Sequence, residues 1–190
     1  MTKFILHGGF TGKNNELNNT FYEEFARDIP DGSTILLVYF ASRSDDTSEK
    51  FKGQGVRIIE HAHGKNFNFA MATKEDFLDQ ITSSSAIYLG GGSTNKLLDI
   101  LRTYPDLKPL VQGKTIAGSS AGAYALAHFG ASHSEDVVRE GLGLVPLRVV
   151  CHYESPDLPP NEKSVSALRA MAQDLELILL KDCEWRVFNF

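Results

Sequence analysis

KTIAGSSAGAYALA, Lys114–Ala127, reads as a short strand that breaks into a helix across Gly118-Ser119-Ser120-Ala121-Gly122. It fits G-x-S-x-G directly after a strand and directly before a helix, the setting that motif requires. Small flanking residues let the chain turn so sharply that Ser120 is strained, with its hydroxyl exposed. The helix N-terminus then offers backbone N–H groups to a developing oxyanion. The plainer account of the same residues is a tight turn that merely packs well. The strand and helix on either side favour Ser120 as a nucleophile.

Working outward, short apolar runs alternate with helix-period segments. Phe4–His7, Thr34–Phe40, Val56–Glu60, Ala86–Leu89, Lys114–Ala117 and Leu175–Leu180 read as strands. Asn15–Ile29, Asp45–Gln54, Thr73–Ser83, Ser93–Thr103, the segment from Ala121 to about His128, and Ser164–Ala172 read as helices. Thr34–Phe40 (TILLVYF) is continuously apolar, as a strand covered on both faces should be. Residues 130–150 lose the period and suggest irregular or hairpin structure. The alternation predicts an α/β fold: a three-layer sandwich, mostly parallel sheet with helices on both faces. Function then belongs at the carboxyl ends of the strands, where the turns Gly8-Gly9, Gly90–Gly92 and Gly118–Gly122 fall.

Composition narrows the partners. The chain has 190 residues, 42% hydrophobic and 23% charged, proportions of a folded domain, and a single catalytic domain over 1–190 is expected. Nineteen Lys and Arg against 24 Asp and Glu give a formal charge of −5. That balance attracts no polyanion, so neither nucleic acid nor an anionic membrane is an expected partner. Cys151 and Cys183 cannot build a disulfide framework and suit a reducing compartment. With no signal-peptide core and no membrane-length apolar run, a cytoplasmic protein is expected, monomer or homodimer.

A nucleophilic serine needs a base, and there are six histidines. His61 and His63 alternate across a predicted strand end without a third metal ligand, and no metal site is expected. His7 ends the first strand, His128 falls in or at the end of the helix after Ser120, and His133 lies in the irregular stretch. His152 follows the apolar run Leu147–Cys151 and emerges at a strand terminus, where such sheets place catalytic groups. It is the best base. Asp182 follows the strand Leu175–Leu180 and is the candidate orienting carboxylate, with Glu184 the adjacent alternative. Gly90-Gly91-Gly92-Ser93-Thr94 could donate a further oxyanion hydrogen bond; it lacks the lysine of a P-loop and the spacing of a dinucleotide fingerprint. The order Ser, His, acid differs from the Ser, acid, His of the α/β-hydrolases.

These residues resemble a known family. YLGGGSTNKLLDILR (Tyr88–Arg102), GKTIAGSSAGAYALA (Gly113–Ala127), CHYESPD (Cys151–Asp157) and LLKDCEW (Leu179–Trp185) are similar to the peptidase E (aspartyl dipeptidase) and cyanophycinase family. The resemblance implies a class I glutamine amidotransferase-like fold of flavodoxin-like topology and a serine peptidase that cleaves short peptides, in the dipeptidases after an N-terminal aspartate. It places the nucleophile at Ser120, the base at His152, the acid at Asp182, and oxyanion donors at the backbone of Gly91 or Gly92 and Ala121, with no metal or organic cofactor. Ser93 stands where the dipeptidases carry asparagine. For the arginine that grips the aspartate side chain, Lys163 is the nearest position and Arg169 the nearest arginine. A cyanophycin-type or amidotransferase-like hydrolase, or an inactive binding relative using the same cleft, are the alternatives.

Overall fold

A computed structural model describes all of residues 1–190. Five mutually parallel strands, β1 (Lys3–His7), β2 (Thr34–Val38), β3 (Asn68–Met71), β4 (Ala86–Leu89) and β5 (Thr115–Ser119), are joined by β10 (Trp185–Asn189), which runs antiparallel to β1. Across the sheet the order is β10-β1-β5-β4-β2-β3. A second sheet holds β6 (Ala127–Ala131), β7 (Val138–Glu140), β8 (Val145–Val150) and β9 (Glu176–Leu179) in the order β7-β6-β8-β9, with β6, β8 and β9 parallel.

Alternation along the strands feeds two cores. Phe4, Leu6, Leu36, Val38, Ile87, Leu89 and Ile116 point to the side covered by α3 (Phe77–Ser83), α4 (Thr94–Leu101) and α5 (Ala121–Leu126). Ile5, Ile35, Leu37, Tyr88 and Ala117 point to the other side, under Phe21, Tyr22 and Phe25 of α1 (Glu16–Arg27) and Ile58 of α2 (Ser48–Glu60). Double coverage is why TILLV carries no polar face. The last helix, α6 (Glu162–Ala170), packs Leu168 on Ala131 and Val150 of the second sheet. This is the expected α/β sandwich, mostly parallel with helices on both faces. Its winding is its own: β1 lies between β5 and the terminal strand, unlike the 2-1-3-4-5 succession of a flavodoxin sheet.

Three local expectations are corrected. Val56–Glu60 is the second half of α2 rather than a strand. Phe51, Gly55, Ile58 and Ala62 recur at helical spacing, and Ile58 and Ala62 are buried while Val56 and Ile59 are exposed. The strand comes later, at Asn68–Met71, an edge with little apolar signal. The helix after Ser120 ends at Leu126, so His128 lies on β6, where Ala127–Gly130 pairs with β8. Thr73 and Asp76 exchange hydrogen bonds of 3.0 and 3.2 Å and form a turn ahead of α3, which starts at Phe77. The chain past Asp182 continues as β10, paired with β1 from Trp185 opposite His7 to Asn189 opposite Lys3.

Arg148 on β8 is nearly fully buried with no carboxylate beside it. Its guanidinium instead donates to the carbonyls of Leu168 (2.9 Å) and Met171 (2.7 Å) at the end of α6 and of Leu175 (2.8 and 3.0 Å) ahead of β9. The helix C-terminal dipole supplies the missing negative charge. Arg148→Met should leave those carbonyls unpaired and lower stability by about 3 kcal/mol, read from the urea midpoint.

Candidate active site

Ser120 stands at the turn from β5 directly into α5. Its backbone is at φ 52°, ψ −106°, a strained conformation for a residue with a side chain. Two close approaches allow it. A Cβ at Gly118 would lie 2.5 Å from the Gly122 backbone, and one at Gly122 would lie 2.2 Å from the Leu89 carbonyl oxygen. The glycines flanking Ser120 are therefore demanded by the crossing of α5 over β4 and β5.

His152 follows β8, and Asp182 follows β9, the parallel neighbour of β8. The distance from His152 Nε2 to Ser120 Oγ is 3.1 Å, and from His152 Nδ1 to Asp182 Oδ1 it is 2.7 Å. The short contact to a carboxylate places the ring proton on Nδ1, leaving Nε2 as an acceptor for the serine hydroxyl. Burial pulls the His152 pKa below its ordinary value, and the hydrogen bond and charge of Asp182 oppose that pull. The imidazole is thus held neutral at neutral pH, the form a base needs.

The three expected side chains come together from three strand ends. Glu184 does not join them: its carboxylate accepts from the Lys181 N–H at 2.9 Å, and its carbonyl from the Gly8 N–H at 2.8 Å. A residue not anticipated from the sequence, Ser155, donates its hydroxyl to Asp182 Oδ2 at 2.7 Å and accepts from the N–H groups of Asp157 (3.3 Å) and Leu158 (3.1 Å). The only signal for it was a small polar residue before Pro156, which reads as a turn.

Gly91 lies against the serine: a Cβ there would sit 3.5 Å from Ser120 Cβ. The N–H groups of Gly91 and Gly92 donate to no protein acceptor, and Ala121 is the first residue of α5. Ser93 caps α4 and accepts from the Lys96 N–H. Beside Gly92 and Ser93 opens a polar recess of about 120 Å³, lined also by Arg43, His133, Glu135 and Arg139. His133 joins it to the Ser120, His152 and Asp182 cluster, its ring 5.3 Å from that of His152. The basic groups of this recess are Arg43 and Arg139, and not the anticipated pair. Lys163 pairs with Asp136 at the surface (2.7 Å), and Arg169 is exposed in the last turn of α6. Arg43 and Arg139 were missed because they lie far apart in sequence, on loops and on β7.

The remaining histidines are accounted for. His7 is buried behind the site, and His61 Nδ1 contacts the Arg57 carbonyl at 2.9 Å at the end of α2. His63 lies in a turn at φ 51°, not on a strand end. No helix is long and apolar enough to cross a membrane.

Residues 4–188 match the family model for peptidase family S51. The fold resembles the crystal structure of a peptidase from an acI-B1 Actinobacterium, with a TM-score of 0.70 and 20% identity, covering 100% of this chain and 84% of that one. It also resembles a candidate peptidase E from Listeria monocytogenes EGD-e, with a TM-score of 0.65 and 15% identity over 99% of this chain and 97% of that one. No match was found among curated proteins.

Proposed function

The chain belongs to peptidase family S51, serine-type peptidases, and we propose that it hydrolyses short peptides through Ser120, His152 and Asp182. The observation that carries this is the continuous line from Ser120 Oγ to His152 Nε2 (3.1 Å) and from His152 Nδ1 to Asp182 (2.7 Å). Ser120 attacks the scissile carbonyl as His152 takes its proton. The tetrahedral oxyanion is met by the N–H groups of Gly91 or Gly92 and of Ala121. His152 then returns the proton to the leaving amine, and water repeats the sequence on the acyl-enzyme. The buried free thiols of Cys151 and Cys183 accord with work in a reducing cytoplasm.

The recess beside Ser93 favours an acidic residue ahead of the cleaved bond, hence an aspartyl dipeptidase. Arg43 forms no ion pair, and Arg139 keeps its guanidinium partly exposed beside Glu135 at 2.9 Å. A carboxylate there would gain charge-assisted hydrogen bonds that an alanine side chain cannot make. Asp-capped dipeptides should therefore be cleaved faster than Ala-capped ones. In the Arg43→Met, Arg139→Met protein, KM for the Asp-capped substrate should rise about tenfold, with the Ala-capped substrate unaffected. A fluorophosphonate should modify Ser120 alone, located by mass spectrometry of the labelled peptide. Equal labelling of Ser120→Ala would sink the peptidase mechanism, and equal rates on the two substrates would sink the aspartate preference.

A further inference from the structure

His7 is fully buried at the end of β1 and takes no part in the mechanism above. Both ring nitrogens are nevertheless engaged. Nδ1 accepts from the Gly9 N–H at 2.9 Å, and Nε2 lies 2.9 Å from Asn18 Oδ1. An amide N–H can only donate, so the proton must be on Nε2, and the ring is neutral with a fixed tautomer. Burial agrees, pushing its pKa down to about 4. Asn18, itself buried, spends its amide on the carbonyls of Phe10 (2.9 Å) and Lys13 (2.7 Å), closing the turn that follows Gly9.

That turn is where the three segments of the triad meet. The carbonyl of His7 accepts from the N–H of Ser120, that of Gly8 from His152, and that of Gly9 from Cys183, next to Asp182, each at 3.0 Å. Gly9, at φ 122°, lies directly under the base: a Cβ there would be 2.0 Å from His152 Cε1. Phe10, held at φ 60° by the Asn18 clamp, sets its ring edge-on to His152 with centroids 4.8 Å apart. A shift of Gly9 or Phe10 is thus a shift of the imidazole.

We infer that His7 and Asn18 are positioning residues, which lock the Gly8–Lys13 turn and through Gly9 and Phe10 hold His152 in line with Ser120 and Asp182. The inference rests on the serine-peptidase reading for its consequence in rate, though not for its geometry. His7→Leu fills the same apolar pocket against Phe21 but frees the Gly9 N–H. His7→Asn keeps an acceptor for that N–H two residues ahead. Misplacement by about an ångström costs up to about 100-fold, so fluorophosphonate acylation of Ser120 should slow by roughly 10- to 100-fold in His7→Leu, recover in large part in His7→Asn, and leave peptide KM near its starting value.

The same variants are read without turnover by NMR. Hydrogen exchange of the His152 Nδ1–H should speed up in His7→Leu, and in the unaltered protein His7 should carry its proton on Nε2. Asn18→Ala, which releases the far end of the turn, should act in the same direction and serves if His7→Leu does not fold. If the unaltered protein resists the probe while His152 exchange still quickens in the variant, the peptidase mechanism fails and the positioning role stands. Acylation at the unaltered rate in folded His7→Leu or Asn18→Ala, or a His7 proton on Nδ1, overturns it.

Discussion

Ser120→Ala is expected to lower kcat by about 10⁵- to 10⁶-fold, the scale for losing the nucleophile of a serine triad. The structure makes this a clean substitution. Ser120 Oγ caps no helix N–H and meets only His152, while the backbone oxygen that bonds the Tyr124 N–H remains. Alanine keeps the Cβ and bears the same positive φ, so stability should change by less than about 0.5 kcal/mol. Rate and fold are thereby separated, and the two are measured by steady-state hydrolysis and by the urea midpoint. His152→Ala should cost a similar factor, and the double variant little more than either alone, because the two groups act as one unit. Losses that multiplied would mean that Ser120 and His152 serve separate steps.

The pH profile follows from the same pair. His152 must be neutral to accept the proton, and burial lowers its pKa from the ordinary value against the pull of Asp182. Activity should therefore rise with pH through a midpoint below the usual histidine value and be complete by neutrality. Half-buried His133, its ring 5.3 Å from that of His152, has its own pKa lowered by burial and by the neighbouring His152.

Ser120 was legible because the need for small residues at a strand-to-helix turn is local and leaves a spaced signature. His152 and Asp182 were legible for a related reason: each follows an apolar strand, and parallel strands put their carboxyl ends on one edge. What escaped depends on contacts between distant segments. Arg139 on β7 and Arg43 on a loop reach one recess from distant segments, and nothing nearby in the chain marks them. Val56–Glu60 looked like a strand because β-branched residues cluster there, while the stripe that makes it a helix is spread from Phe51 to Ala62. β10 carried no pattern strong enough to read, since an edge strand half exposed to solvent needs little apolar character; it is held by backbone pairing to β1 and by the Trp185 Nε1–H donating to Leu17 at 2.9 Å. His7 looked like one more cleft histidine until the Gly9 and Asn18 bonds showed both nitrogens spent.

Asp182→Asn should be the most damaging change after Ser120→Ala and His152→Ala, lowering kcat by about 10⁴-fold, and the reason lies in Ser155. The Ser155 hydroxyl accepts from the N–H groups of Asp157 and Leu158, so its proton is committed to position 182 at 2.7 Å. An asparagine there must turn its amide oxygen toward Ser155 and its NH₂ toward His152. The imidazole then accepts on Nδ1 and carries its proton on Nε2, facing Ser120, where it can no longer act as a base. Loss of the Asp182 charge also removes the influence that raises the His152 pKa, so the residual activity should show its acid limb at lower pH. Removing Ser155 as well frees the asparagine to rotate and present its oxygen to Nδ1. The Asp182→Asn, Ser155→Ala double variant should therefore be faster than Asp182→Asn alone. A double variant slower than the single one would mean that Ser155 only orders the loop. Glu184→Gln, whose carboxylate is spent on the Lys181 N–H, should retain nearly the full rate; a loss there as large as that in Asp182→Asn would move the orienting acid to Glu184.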